Sequence, residues 1–138
     1  MADLELTSEP SPEDLAVILD GLTAFNEGEV GAAERQTLAV LIRDPERKVI
    51  GGLSGYTSWG WLFTQLLFIP QSLRGNGMAG RLLRTAEEEA RRRGCHGAWI
   101  DTFNPVALEA YKRQGYETFG ELPGFVSGRT RTFLKKVL

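Results

Sequence analysis

Apolar and polar positions repeat with two different periods along the chain, and each change of period marks a new element. Asp3-Leu4-Glu5-Leu6-Thr7 alternates with period two, which predicts a short strand with one apolar side. Ser11-Pro12-Glu13-Asp14 then reads as a helix start. Its hydroxyl can cap free amides, its proline suits the first helical position, and its two carboxylates sit at the positive end of the dipole. Leu15, Ile18, Leu19, Leu22 and Phe25 follow at helical spacing and give one apolar face. Gly28 and Gly31 break that spacing, so 28–36 is expected to be a loop or a short second helix.

Strand patterns return at 37–43, at 48–56 with Gly51-Gly52 inside, and at 61–69, which ends at Pro70. Asp44 to Arg47 and Thr57 to Gly60 are the turns between them, and such short connections favour an antiparallel meander. The near-continuous apolar runs suggest helices on both faces of the sheet. Gly75-Asn76-Gly77 opens a helix with apolar positions at Met78, Ala79, Leu82, Leu83, Ala86 and Ala90, and Gly94 stops it. Glu87/Arg91, Glu88/Arg92 and Glu89/Arg93 are spaced to support that helix as acid-before-base pairs. A strand at 97–102, a helix from Asn104-Pro105 to Gly115, and strands near 117–122 and 129–137 around a loop at 123–128 complete the chain. The order β-α-β-β-β-α-β-α-β-β predicts a mixed, mostly antiparallel sheet of the α/β class, with a parallel crossover between 61 and 102.

A chain of 138 residues has room for one domain spanning 1–138. Sixteen basic residues against eighteen acidic ones leave a net charge of −2, too balanced for a general nucleic-acid or membrane-surface binder. One cysteine, Cys95, excludes an internal disulfide, and the single histidine, His96, leaves little for a metal site. Cys95 and His96 would point to opposite faces of a strand, so they are not read as a nucleophile–base couple. Without an apolar stretch near the ~18 residues of a membrane span, or the cationic and apolar regions of a secretory signal, the expectation is a soluble cytoplasmic protein.

The candidate chemistry lies at Arg74-Gly75-Asn76-Gly77-Met78-Ala79-Gly80, between an apolar strand and a long helix. Glycines there let a ligand approach the backbone, the first helical amides have no internal partner, and the dipole and Arg74 favour a diphosphate. Arg81 and Arg84 lie further along the helix. The plain alternative is a glycine-rich turn with solvated arginines. Gly75-x-Gly77-x-x-Gly80 matches the string of dinucleotide-binding folds, but Pro70 to Arg74 separate it from the strand and too little chain follows for a doubly wound sheet. No Gly-Lys-Ser/Thr follows, so a nucleotide-triphosphate loop is absent.

Arg74-Gly75-Asn76-Gly77-Met78-Ala79, following the strand Leu66-Leu67-Phe68-Ile69-Pro70, resembles the R/Q-x-x-G-x-G/A signature of the GCN5-related N-acetyltransferases. Asn104-Pro105-Val106-Ala107 through Tyr111 to Gly115-Tyr116 is similar to that family's N-x-x-A-x-x-x-Y-x-x-x-G-[FY] segment. The two motifs come in the family's order and spacing, and the element order resembles the family's acyl-CoA N-acyltransferase-like fold along the whole chain.

The resemblance implies acetyl-CoA as cosubstrate, no metal, and a small-molecule amine as acceptor. It implies a bulge in the strand before the signature and a gap beside it for the pantetheine arm, at Leu67, Phe68 and Ile69. The diphosphate would lie on Gly75, Asn76, Gly77, Met78, Ala79 and Gly80 beside Arg74, Asn104 would touch the pantetheine, and Tyr111 would serve the departing thiolate as acid. Asn104 can equally be a helix cap and Tyr111 a core aromatic. The general base is open between Glu27, Glu29, Asp101 and ordered water. Phe25, Glu27, Trp59 and Trp61 are the candidate acceptor residues, with a core role for Trp61 as the alternative. By analogy a homodimer through the C-terminal strands is expected. A non-catalytic CoA-binding sensor or docking module is the second reading of the whole.

Overall fold

The computed structural model describes residues 1–138, which form two compact units, 1–33 and 34–138. In the N-terminal unit Ser11 is extended and its Oγ accepts from the Asp14 amide at 3.0 Å, so α1 (Pro12–Val30) begins where the Ser-Pro pair predicts. The helix runs through Gly28 and ends at Gly31 (φ 98°), where Glu27 Oε2 accepts the Ala33 amide at 2.7 Å. The break expected at 28–36 is therefore absent until residue 31: one glycine costs a helix only about 1 kcal/mol. Residues 3–7 form no strand, and Leu4 and Leu6 are fully exposed. Alternation without a paired neighbour does not hold a strand together.

The second unit is a six-stranded sheet in the order β1-β2-β3-β4-β6-β5. Its strands are β1 (Gln36–Arg43), β2 (Val49–Ser58), β3 (Trp61–Phe68), β4 (Gly97–Thr102), β5 (Glu117–Val126) and β6 (Arg129–Val137). β3 and β4 are parallel and every other neighbouring pair is antiparallel, so the meander and the parallel crossover stand as expected. The crossover helix is α2 (Met78–Arg92), and α3 (Pro105–Arg113) joins β4 to β5. β5 reaches Val126 instead of stopping at 122. An irregular pairing after Leu122 absorbs Pro123 and Gly124, leaving only a Ser127-Gly128 turn (φ 48° and 69°).

Leu62, Leu83, Ala86, Ala90, Ala98 and Leu134 are the driest part of one buried cluster, which α2 feeds with its apolar stripe and α3 with Tyr111. The acid–base pairs expected along α2 hold only at Glu89, which binds Arg93 at 2.8 Å and Arg92 at 3.0 Å. Those two arginines hold its carboxyl below the usual carboxylate range. Glu87 turns inward instead and is 1% exposed. Its oxygens accept from Lys136 Nζ at 2.7 Å and Tyr116 Oη at 2.9 Å, so a buried charge is both paired and hydrogen-bonded. Burial, then the Glu87 carboxylate, pushes the Tyr116 phenol well above its ordinary value.

β3 positions the rest. Thr64 lies opposite Gly55 and Leu66 opposite Ser54, so Gln65 is an extra residue, a bulge. The bulge reverses the alternation: Leu62 and Thr64 face the core before it, and Leu67 and Ile69 pack against the core after it. Gly55 permits this crowding, because a Cβ there would run into the carbonyl oxygen of Phe63. Pairing of β3 with β4 ends at Thr64 opposite Ile100. Past that point the β4-facing edge of β3 has no ladder partner.

Candidate active site

The gap opened between β3 and β4 leads into a cavity of about 710 Å³, bounded by the end of β3, the start of α2 and one side of α3. Leu67, Phe68, Ile69, Arg74, Gly75, Gly77, Met78, Ala79, Gly80, Asn104 and Tyr111 all line it. Asn76 belongs to the same loop but does not line the cavity.

The loop shape follows from its glycines. Gly75 (φ 81°) and Gly77 (φ 74°) occupy the left-handed region, and Gly77 takes the N-cap position of α2 without any side-chain cap. The amides of Met78, Ala79 and Gly80 therefore keep their hydrogen-bonding capacity at the positive end of the dipole, and the first bond of the helix runs from Arg81 N to Gly77 O at 3.1 Å. Arg74 Nε donates to Ile69 O at 2.8 Å, which ties the loop to the strand end. No carboxylate pairs with Arg74, Arg81, Arg84 or Arg113. Gly80 admits the side chain of Gln114, whose Oε1 accepts from Arg84 at 3.0 Å. A cradle of bare amides and unpaired guanidiniums fits a diphosphate.

Asn104 Oδ1 accepts from Val106 N at 2.8 Å and Ala107 N at 3.2 Å, so its oxygen caps α3 while its amide NH₂ remains for a ligand. Tyr111 is 5% exposed, and no hydrogen bond engages its hydroxyl. Burial, and then the Asp101 carboxylate, push its phenol up to about 12.

A second cavity of about 340 Å³ shares Leu67, Thr102, Asn104 and Tyr111 with the first. Its own walls include Thr64, Gln65, Asp101, Phe103 and Arg131. Thr64 is 2% exposed and its hydroxyl has no partner, an orphan at the point where the strands part.

Trp59 and Trp61 line neither cavity. Trp61 starts β3, roughly 20 Å along the strand from Leu67 at about 3.3 Å per residue, and its ring packs edge-on to His96 and against Gly97. Phe25 and Glu27 belong to the N-terminal unit, where Phe25 is exposed and Glu27 fixes the end of α1. Arg113, Gln114 and Arg131 were not among the sequence candidates. Gln114, three residues past Tyr111 at the C-cap of α3, could have been found by the helical period, whereas Arg113, two residues past it, could not, and Arg131 arrives through β6 pairing that no local signal announces.

The family model for the acetyltransferase (GNAT) family matches residues 5–116. Acetyltransferase Atu2258 of Agrobacterium fabrum is 48% identical over 119 residues, which cover 86% of this chain and 87% of that protein. Blasticidin-S acetyltransferase of Streptomyces morookaense is 36% identical over 92 residues, 66% of this chain and 68% of that one. The crystal structure of an Agrobacterium tumefaciens protein designated an acetyltransferase superposes with a TM-score of 0.94 and 43% identity, covering 99% of this chain and 100% of that one.

Proposed function

The chain belongs to the GNAT acetyltransferase family, and from that premise we propose that residues 1–138 act as one domain that moves the acetyl group of acetyl-CoA to a primary amine of a small molecule by direct attack. One observation carries this reading: the parted strands, the uncapped start of α2 and Tyr111 all border one cavity.

In this reading the amides of Met78, Ala79 and Gly80, with Arg74, take the diphosphate, and the unpaired edge of β3 at Leu67, Phe68 and Ile69 takes the pantetheine arm together with the Asn104 amide. A backbone N–H on the β3 edge donates to the oxyanion that forms as the amine attacks. Tyr111 donates its O–H to the departing sulfur. Its phenol stands near 12 and an ordinary thiol near 8.5, so complete proton transfer would be uphill by about 5 kcal/mol. Tyr111 therefore stabilises the thiolate as a hydrogen-bond donor, and solvent completes the protonation. No carboxylate lines the larger cavity and Asp101 is the one in the smaller, so ordered water is the proposed carrier of the amine's proton.

β5 is a free edge of the sheet with Phe119 and Leu122 exposed, which supports a homodimer through the C-terminal strands, and a CoA-dependent enzyme of this kind fits the cytoplasm. The test is CoA release from acetyl-CoA across a panel of amines, with blasticidin S first because of the relative that bears its name. Turnover with at least one amine supports the reading. CoA binding with no turnover across the panel would favour the non-catalytic module.

A further inference from the structure

We propose that the smaller cavity seats the acceptor as a cation, its ammonium held by Asp101 Oδ2. This rests on the acetyl-transfer reading and adds the chemical class of the acceptor to it. Tyr111, Leu67, Thr102 and Asn104 are common to both cavities, so a ligand in the smaller one meets the larger where the reacting end of the donor would lie. Asp101 is the only carboxylate on either lining.

Its geometry is particular. Arg131 Nε and Nη2 both contact the same oxygen, Oδ1, at 2.8 Å, which leaves Oδ2 outside the fork. The Arg131 guanidinium is itself held 5.4 Å from the centres of both the Phe125 and Phe133 rings. A fork fixed in this way stops the carboxylate from rotating and aims the other anionic oxygen. The Asp101 side chain keeps 16% of its surface exposed, and a ligand with N–H donors and positive charge can replace water at Oδ2. An alkyl ammonium supplies both; held on Oδ2 it gives one N–H proton to ordered water, and the neutral nitrogen then attacks the acetyl carbon. Asp101 is also a cause of the raised Tyr111 pKa, which places its charge within electrostatic reach of that hydroxyl. Phe103, packed 5.3 Å from Phe125, gives the arm of the amine an apolar wall.

Two substitutions separate recognition from bracing. Asp101→Asn keeps the shape and still accepts from Arg131 but loses the charge. Arg131→Gln removes the brace and keeps the Asp101 charge. With saturating acetyl-CoA, and with 1,4-diaminobutane, tyramine and blasticidin S as probes against aniline (uncharged at pH 8), Asp101→Asn is expected to raise KM for the cations at least tenfold. It should also erase their preference over aniline, leave the acetyl-CoA KM within twofold, and bring the Tyr111 phenol down toward its ordinary value. Arg131→Gln should raise the KM of the cations by less than Asp101→Asn does and should keep their preference over aniline. Equal effects of the two variants would show a brace only and overturn the proposal. So would an Asp101→Asn enzyme within twofold of the parent, or a parent that binds acetyl-CoA calorimetrically yet acetylates none of the cations. Failure to bind acetyl-CoA at all would instead bring down the transferase reading, and this inference with it.

Discussion

The two ends of α2 obey opposite rules. At its C-terminal half the carboxylate that turns inward is satisfied, Glu87 holding Lys136 and Tyr116, and the half-exposed Glu89 holds Arg92 and Arg93. At its N-terminus the cap is a left-handed glycine with no side chain to give, the first amides are unspent, and Arg74, Arg81 and Arg84 have no carboxylate. A serine or aspartate would supply the missing side-chain cap, a gain over glycine of only about a few tenths of a kcal/mol. The difference teaches that the fold is held at one end of the helix, while the other end keeps its capacity for an anion.

The largest effect should come from breaking the satisfied end. Glu87→Ala would strand the Lys136 ammonium and the Tyr116 hydroxyl inside the protein, with an expected loss of about 3–5 kcal/mol in denaturant unfolding. CoA affinity of the folded protein should remain within twofold, and a parallel fall in affinity would mean that the two ends are not independent. Next is Tyr111→Phe, expected to lower kcat about a hundredfold and leave acetyl-CoA binding intact. Because the phenol stands near 12 in the folded chain, above the ordinary value of 10, it stays a donor through pH 10 and is lost only as pH rises through about 12. At saturating acceptor, any alkaline decline in kcat that the Tyr111→Phe variant lacks should therefore not begin before pH 11, and such a decline near pH 9 would remove Tyr111 from the step.

A smaller effect is expected at the open end. Gly77→Ala meets no steric neighbour, so its cost is the left-handed backbone itself, about 1–2 kcal/mol, read as roughly tenfold weaker CoA binding by calorimetry. The smallest is Thr64→Val. Removing a buried hydroxyl without a partner should leave the melting temperature unchanged or raise it by a degree or two, whereas a drop would mean the hydroxyl is satisfied.

Much of this was legible in the sequence. Ser11-Pro12 and Asn104-Pro105 announced two helix starts because capping is local chemistry, and β4 was read to the residue because six apolar-rich positions lie between Gly94 and Asn104. Gly75 and Gly77 signalled the left-handed loop and the uncapped start of α2 for the same reason: a positive φ is decided within the loop. What local pattern could not show was pairing. The strand expected at residues 3–7 had no partner, Glu87 turned to a lysine on β6 instead of Arg91, and Arg131 reached Asp101 across the sheet. Trp61, expected in the acceptor pocket or in the core, starts β3 at the far end of the strand from Leu67 and packs on His96.

The central claim is that coenzyme A rests its diphosphate on the uncapped start of α2. A titration of the ¹⁵N-labelled chain with CoA tests it most directly. The expected result is large, saturable shifts of the Gly75, Gly77, Met78, Ala79 and Gly80 amides, no comparable response to NAD or FAD, and little change at Glu87 or Lys136. Unmoved amides at Met78 to Gly80 in a CoA-saturated sample would contradict it.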